Sequence, residues 1–249
     1  MKNRAGLVTG AGSGIGRACA LALAELGASV MVSDIDQTAA AAVVAKIESL
    51  GGRAVVNRCD VSNPDQVAAL VQLTVESFGS LDFAVNNAGV VGTQTPVHRY
   101  ELADWNRIIA INLTGVFLCV REQLSVMYSA GRGSIVNIAS EASLKGSAAD
   151  AVYTASKHGV AGLTKTSALE AARRGVRVNA VCPGVIETGI MTGVLETAPE
   201  VYEKAKRLMP IGRYGQPEEI AAAVVWLCSD AASLVTGQLL AVDGGWSAA

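Results

Sequence analysis

The sequence is poor in the features that mark several functional classes. Aromatic residues make up 4% and charged residues 17% of its 249 residues, and the formal net charge is −2. Without a basic surplus, the chain has no electrostatic footprint for nucleic acid or for anionic lipid. Hydrophobic residues reach 51%. This excludes a disordered chain, because disorder requires low hydrophobicity and high charge.

Long apolar runs and metal-ligand clusters are also missing. No apolar run approaches the roughly 18 residues that a membrane-spanning helix needs, and the first residues lack the apolar core of a signal peptide. The two histidines lie far apart, and the five cysteines are scattered without a CxxC pair (Cys19, Cys59, Cys119, Cys182, Cys228). We therefore expect buried free thiols, no metal site, no membrane or nucleic-acid partner, and a cytoplasmic protein.

Two periodic signals alternate along the chain. Apolar runs typical of buried strands occupy residues 5–9, 29–33, 54–57, 82–86, 134–138, 176–182 and 238–242. Helical segments lie between them at 15–26, 37–50, 64–78, 104–130, 151–173 and 217–228. This alternation predicts a single α/β domain over 1–249, a Rossmann-type doubly wound parallel sheet of about seven strands with helices on both faces. The irregular segment 184–215 predicts a substrate lid at about 189–212.

A glycine-rich turn follows the first predicted strand. Its glycines fit G-x-x-x-G-x-G on Gly10, Gly14 and Gly16, not G-x-G-x-x-G, because Ile15 occupies the place of the last glycine in that pattern. Glycines here allow a pyrophosphate to approach the backbone N–H groups at a helix N-terminus, where the helix dipole favours negative charge. The motif therefore predicts a dinucleotide site.

The second predicted strand leads to Asp34, which bears on the choice of dinucleotide. A carboxylate at this point hydrogen-bonds a ribose 2′-hydroxyl and repels a 2′-phosphate. The neighbouring Ser33 and Ile35, and Ser13 in the glycine turn, supply no positive charge to offset that repulsion. The sequence therefore predicts NAD as the cofactor.

Polar residues with a catalytic pattern follow in the second half of the chain. Asn112 lies within the long helical segment, and Ser140 follows the fifth strand. Tyr153 and Lys157 are four residues apart, so they share one face of a helix.

With these residues in place, the sequence resembles the short-chain dehydrogenase/reductase family from about Leu7 to Trp246. The motifs that carry the resemblance are Thr9-Gly10-x3-Gly14-Ile15-Gly16, Asp60-Val61, Asn86-Asn87-Ala88-Gly89, Asn112, Ser140, Tyr153-x3-Lys157, Pro183-Gly184 and Asp243-Gly244-Gly245. Each motif is weak alone, and their order and spacing together are specific.

The resemblance implies a role for each catalytic residue. Tyr153 acts as general base in alcohol oxidation and as general acid in ketone reduction, and Ser140 positions the substrate oxygen. Lys157 hydrogen-bonds the nicotinamide ribose and, with the positive nicotinamide ring, lowers the tyrosine pKa from its ordinary value of about 10. Asn112 holds a water that links Lys157 to solvent.

The resemblance also implies the residues that bind cofactor and substrate, and an assembly state. The expected cofactor contacts are Gly10, Ser13, Gly14, Ile15, Gly16, Asp34, Asp60, Val61, Asn86, Ala88, Gly89, Tyr153, Lys157, Pro183, Gly184, Ile186 and Thr188. The expected substrate contacts are Ser140, Ala142, Leu144, Tyr153, Val185, Ile190 and Met191. The family forms homotetramers, and we expect the same here.

The leading functional prediction is an NAD-dependent oxidoreductase that interconverts a secondary alcohol and its ketone. Apolar side chains around the expected reaction centre favour an uncharged substrate, cyclic ones included, over a phosphorylated or carrier-bound one. One alternative is an NADPH-dependent 3-oxoacyl carrier-protein reductase, against which Asp34 argues. The other is a non-catalytic NAD-binding scaffold or sensor, which has no need for Asn112, Ser140, Tyr153 and Lys157 together.

Overall fold

A parallel sheet organises the chain. The computed structural model describes residues 1–188, 200, 203, 206–207 and 209–248. Its seven strands, each parallel to its neighbours, lie in the order β3-β2-β1-β4-β5-β6-β7. They are β1 (Ala5–Thr9), β2 (Ser29–Asp34), β3 (Arg53–Arg58), β4 (Phe83–Asn86), β5 (Gly133–Ile138), β6 (Val176–Pro183) and β7 (Leu239–Val242). The predicted fold class is confirmed.

Seven α-helices connect the strands in the described part of the chain. They are α1 (Gly14–Glu25), α2 (Gln37–Ser49), α3 (Pro64–Phe78), α4 (Leu102–Ile109), α5 (Gly115–Ala130), α6 (Ala151–Ala171) and α7 (Pro217–Cys228). The side chains of Asp36 and Asn63 accept backbone N–H bonds at the starts of α2 and α3. At α7, Gln216 and Glu219 form a capping box. These caps satisfy N–H groups that a helix leaves unpaired at its start.

Two hydrophobic cores lie on opposite faces of the sheet. Successive strand residues point to opposite faces, so Leu7 packs into one core and its neighbour Val8 into the other, both fully buried. Helices α1, α2 and α7 cover the Val8 face, and α3, α5 and α6 cover the Leu7 face. Covering on both faces explains why the strands read as continuous apolar runs.

The long helical segment is continuous but not uniform. Between α4 and α5, residues Ala110–Thr114 form a π-helical turn, which the sequence did not predict. By length and hydropathy alone, Leu102–Ala130 could span a membrane, contrary to the expectation that no segment would qualify, yet half of its most apolar window is buried within the fold. A core helix has these same properties.

The five cysteines are all buried and unpaired, as expected. Burial raises the pKa of the Cys59 and Cys182 thiols to about 11. These thiols are therefore protonated at neutral pH and behave as small apolar side chains.

The strand order reverses next to β1, which places β2 on one side of it and β4 on the other. Because the helices after β1 and β4 leave toward opposite faces, a crevice opens at the carboxyl ends of these two strands. Ligands of doubly wound sheets bind at such a crevice.

Candidate active site

A cleft of about 580 Å³ occupies this crevice. Ten of the predicted cofactor residues line it: Gly10, Ser13, Gly14, Ile15, Asp34, Asp60, Val61, Ala88, Gly89 and Thr188. Ile35, Cys59, Asn87, Val90 and Ile111 complete the lining and were not among the predicted contacts. The dimensions and the lining suit an elongated ligand with polar groups along it.

The glycine turn has the backbone geometry that a phosphate cradle requires. Gly14 has φ +51°, and a Cβ there would lie 3.2 Å from the Thr188 side chain, on the lining of the cleft. A Cβ on Gly16 would lie 2.1 Å from the Gly10 carbonyl oxygen, so no side chain fits at that position. Ser13 is exposed just before α1, and its side chain makes no capping hydrogen bond. The turn thus leaves the N-terminus of α1 open to an anion.

Thr9 and Asn87 hold the glycine turn against β4. The Asn87 side-chain amide donates to the carbonyl oxygens of Thr9 (3.0 Å) and Gly10 (2.9 Å). The Thr9 hydroxyl accepts the backbone N–H groups of Asn87 and Ala88 at 3.0 and 3.1 Å. These bonds fix the two halves of the crevice relative to each other. Their signal in the sequence was the double asparagine, from which Asn87 was not singled out.

Asp34 lies at the rim of the cleft, where it was predicted. Its Oδ2 accepts the Gly12 N–H at 2.8 Å, and its Oδ1 accepts the Asp36 N–H at 3.0 Å. No side chain in the described ranges forms an ion pair with it. Arg58, which is exposed, stands beside Asp34 in the register of β2 and β3 and was missed in the sequence.

Seven predicted cofactor residues do not line this cleft, among them Tyr153 and Lys157, which are described below with Ser140. Asn86 is 2% exposed, and its side chain is hydrogen-bonded to Gln123 and Asn137 in the core. Gly16 packs on Gly10, and Pro183 ends β6. Gly184 packs against Asp243: a Cβ at position 184 would lie only 2.9 Å from the Asp243 Cα. Ile186 is buried and forms a β-bridge with Gly215. These last three continue from the carboxyl end of β6.

Ser140, Tyr153 and Lys157 come together beside the cleft. Ser140 follows β5, and its Oγ accepts the Ala142 N–H at 3.1 Å. Tyr153 and Lys157 lie on one face of α6, with the lysine Nζ 5.5 Å from the centroid of the tyrosine ring. The Nζ donates to the Ile138 carbonyl oxygen at 2.9 Å, which ties α6 to the end of β5. The structure therefore brings the predicted catalytic residues together.

Burial dominates the acid–base properties of this group. It raises the pKa of Tyr153 to about 12, with smaller increases from Asp150 and Glu141 and a decrease from the hydrogen bond with Ser140. Burial also lowers the pKa of Lys157 to about 8. At neutral pH the lysine is thus cationic and the tyrosine is a neutral phenol. The net change in the Tyr153 pKa is therefore an increase, opposite to the lowering expected from Lys157.

Asn112 lies in the π-helical turn and is completely buried. Its side chain accepts the Val90 N–H and donates to the Val90 carbonyl oxygen, both at 2.8 Å. A longer contact of 3.4 Å joins its amide to Ser156. The side chain thus anchors the segment after β4. The Nδ2 group donates to both Val90 and Ser156, whereas Oδ1 accepts one bond and can accept a second.

The predicted substrate contacts fall into two groups. Ala142 is buried, Leu144 is 39% exposed, and Val185 packs with Met209, Tyr214 and Trp246. Ile190, Met191 and most of the predicted lid at 189–212 lie outside the described residues. Within the described ranges, no group of histidine, cysteine and carboxylate side chains is placed to hold a metal ion.

Comparisons with known proteins agree with this geometry. A family model described as "Enoyl-(Acyl carrier protein) reductase" matches residues 10–247. The chain is 44% identical to cyclohexanol dehydrogenase of Acinetobacter sp. over 98% of its length and 95% of that protein. It is 46% identical to a 3-oxoacyl-[acyl-carrier-protein] reductase of Synechocystis sp., covering 96% and 95%. The crystal structure of levodione reductase superposes with a TM-score of 0.95 at 39% identity, covering 100% of this chain and 99% of the other.

The chain therefore belongs to the short-chain dehydrogenase/reductase family. It is an oxidoreductase that acts on CH–OH groups and interconverts secondary alcohols and ketones. Its cofactor is a nicotinamide dinucleotide. The cleft, the open N-terminus of α1 and the glycine turn have the geometry that such a ligand requires.

Proposed function

We propose that the protein is an NAD-dependent dehydrogenase for an uncharged, cyclic secondary alcohol. The observation that carries the cofactor choice is Asp34, whose carboxylate lies at the rim of the cleft and holds the backbone of the glycine turn. A 2′-phosphate would meet this negative charge, whereas a 2′-hydroxyl would donate to it.

Tyr153 is the proposed acid–base group. In oxidation its phenolate accepts the proton of the substrate hydroxyl, and in reduction its phenol returns that proton to the ketone oxygen. Ser140 holds the same oxygen by a hydrogen bond. When bound, the oxidised cofactor supplies the hydride acceptor and a positive charge beside the phenol. That charge would favour the phenolate, which burial disfavours by raising the Tyr153 pKa to about 12.

Lys157 and Asn112 support this group. The Lys157 ammonium is fixed by the Ile138 carbonyl, and we propose that it also binds the nicotinamide ribose. Asn112 holds Val90 in place at the cleft wall. We propose that Asn112 also holds a water that links Lys157 to solvent as a proton relay.

The proposed substrate follows from the apolar residues near Ser140. Ala142 and Val185 offer no charge, and the segment 189–212, proposed as the lid, adds Ile190 and Met191. Cyclohexanol dehydrogenase, a relative at 44% identity, is named for a neutral cyclic alcohol. A carboxylate or phosphate substrate would call for a convergent arginine. Arg213, which lines a small cavity with Ile186, is already paired with Glu219.

A screen of secondary alcohols tests the proposal. Purified protein is mixed with NAD or NADP and each alcohol, and formation of the reduced cofactor is followed by absorbance. We expect turnover of cyclohexanol, with kcat/KM at least tenfold higher for NAD than for NADP. Binding of NADH, followed by its fluorescence, without turnover of any alcohol or ketone would instead favour a scaffold or sensor.

One second function has specific support. The chain is 46% identical to a protein named 3-oxoacyl-[acyl-carrier-protein] reductase, and Arg58 stands beside Asp34. An NADPH-dependent reductase of this kind would reduce an acetoacetyl thioester faster with NADPH than with NADH. The same assay with that thioester separates the two functions.

We propose a homotetramer that acts in the cytoplasm. Large apolar side chains are exposed on α4, α5, α6 and α7, namely Leu102, Trp105, Phe117, Leu169 and Trp226. Helix-to-helix packing between copies would cover them. The buried free thiols suit a reducing compartment. Light scattering coupled to gel filtration measures the assembly state, and a monomer would contradict the proposal.

A further inference from the structure

One carboxyl group beside the catalytic residues lacks a hydrogen-bond partner. Glu141 directly follows Ser140 and is only 9% exposed. Its Oε2 is one of three buried side-chain polar atoms without a partner among the described residues, and the only one that belongs to an acid. An unpaired polar atom in the interior is costly, so such an atom next to a reaction centre suggests a ligand as its missing partner.

The fold holds this carboxyl near the reaction centre. Glu141 begins a single 3-10 turn, Glu141–Ser143, which packs on α6. The turn is fixed at both ends, because the Ser140 Oγ accepts the Ala142 N–H and the Ser143 hydroxyl donates to the Lys157 carbonyl oxygen. The turn follows β5 and also contacts β6, so Glu141 lies near the carboxyl ends of these two strands. Its charge raises the pKa of Tyr153 and of Cys182.

Lys145, the cation whose charge acts on Glu141, does not form an ion pair with this carboxyl in the described part of the chain. Lys145 donates from Nζ to the Trp246 carbonyl oxygen at 3.2 Å and lies 4.2 Å from the centroid of the Trp246 ring. Asp150 and Asp243, the other charged groups that act on Glu141, are both acidic.

We infer that Glu141 is a substrate-specificity residue whose carboxyl hydrogen-bonds a second hydroxyl group of the substrate, so that the preferred substrate is a cyclic diol. This inference rests on the proposed function and narrows its substrate class. A hydroxyl is the matching group because it can both donate and accept a hydrogen bond. It therefore pairs with the carboxyl whether that group is ionised or protonated. A carboxylate on the substrate would pair poorly with it and would add like charge.

Kinetics with paired substrates test the inference. The wild type and the variants Glu141→Gln and Glu141→Met are assayed with NAD on cyclohexanol and on 1,2-, 1,3- and 1,4-cyclohexanediol. The readout is kcat/KM for each diol divided by kcat/KM for cyclohexanol. In the wild type we expect this ratio to exceed 10 for at least one diol. Glu141→Met is expected to reduce the ratio to about 1, mainly through KM, while Glu141→Gln retains most of it because the amide can still hydrogen-bond.

Asp150→Asn is the matched control. Asp150 is a half-buried acid that also raises the Tyr153 pKa, so this variant removes a similar charge without removing the proposed contact. We expect it to leave the diol ratio unchanged. If Glu141→Met does not fold, Glu141→Ala replaces it.

Three outcomes would overturn the inference, and they differ in what else they affect. In the first outcome, the wild type oxidises cyclohexanol, and its ratio of kcat/KM for each diol to kcat/KM for cyclohexanol equals that of Glu141→Met. This result overturns the present inference and leaves the proposed function intact. In the second outcome, Glu141→Met loses activity equally on cyclohexanol and on the diols. This result would indicate that Glu141 supports the fold, and it also overturns the present inference alone. Absence of turnover of every alcohol by the wild type overturns the proposed function and this inference with it.

Discussion

The ammonium nitrogen of Lys157 lies 5.5 Å from the centroid of the Tyr153 ring and is held there by the Ile138 carbonyl oxygen. Burial moves the pKa values of the two groups in opposite directions, upward for the phenol and downward for the ammonium. At neutral pH, Tyr153 is therefore a neutral phenol beside the Lys157 ammonium, and a phenol can donate the proton that ketone reduction needs. To act as a base in alcohol oxidation, Tyr153 requires further positive charge nearby.

Tyr153→Phe is predicted to remove nearly all turnover while NADH binding stays within a few fold of the wild type. General acid–base catalysis contributes about 10²–10⁴-fold, and the same hydroxyl hydrogen-bonds the reacting oxygen. Steady-state kinetics and NADH fluorescence titration measure the two effects. Tyr128→Phe is the control, since Tyr128 lies on α5 with Arg174 stacked on its ring. A Tyr153→Phe variant with a tenth of the wild-type kcat would show that the base is misassigned.

Lys157 is predicted to make stability depend on pH. Its pKa is lowered from 10.5 to about 8, so between these values the unfolded chain binds more protons than the folded chain. Relative to a Lys157→Met variant, the free energy of unfolding of the wild type should therefore rise from pH 8 to 10.5, by roughly 3 kcal/mol.

Urea unfolding of wild type and Lys157→Met at several pH values measures this difference. Taking the difference removes the contribution of the buried cysteine thiols and of Tyr153, whose raised pKa values act in the opposite direction at alkaline pH. Lys165→Met, a change at an exposed lysine of α6, controls for the loss of an ammonium group. A difference that stays constant with pH would mean that Lys157 titrates normally in the folded chain.

Asp34→Asn is predicted to erode the preference for NAD. The amide oxygen can still accept the Gly12 N–H, so the variant tests the charge with little change of the glycine turn. We expect the NAD/NADP ratio of kcat/KM to fall from at least 10 to near 1, a change of about 1.4 kcal/mol or more. Adding Arg58→Ala to the Asp34→Asn variant should remove the gained NADP activity, because Arg58 is the cation beside this position. Equal efficiency with both cofactors in the wild type would contradict the prediction.

Much of the fold could be predicted because its signals are local. Buried parallel strands and amphipathic helices alternate, and caps such as Asn63 fix where helices begin, so predicted ends agree with observed ends within two residues. The π-helical turn was not predicted, because it accompanies contacts between Asn112 and Val90, which come from different elements. No residue pattern within the helix reports such a contact.

Sequence motifs predicted which positions lie near the site, but they did not predict which way each side chain points. Asn86 and Asn87 are adjacent, yet the first points into the core and the second holds the glycine turn. Alternation along β4 separates them, but the sequence does not reveal which of the two faces the turn. Glu141 gives the same lesson, since its burial beside Ser140 depends on a turn fixed by Lys157 on another element.

The last prediction concerns substrate charge: a neutral cyclic ketone should exceed a size-matched keto acid in kcat/KM with NADH. Near the reaction centre, Glu141 is buried and acidic, and Val185 belongs to an apolar cluster. Lys145, the cation on this side, is already bound to the Trp246 carbonyl oxygen and ring. A substrate carboxylate would therefore lose its hydration without gaining a positive partner. Steady-state kinetics with cyclohexanone and a six-carbon keto acid decide the question, with Lys145→Met as the variant that should leave the keto-acid KM unchanged. If the keto acid has the higher kcat/KM, the uncharged-substrate proposal is wrong.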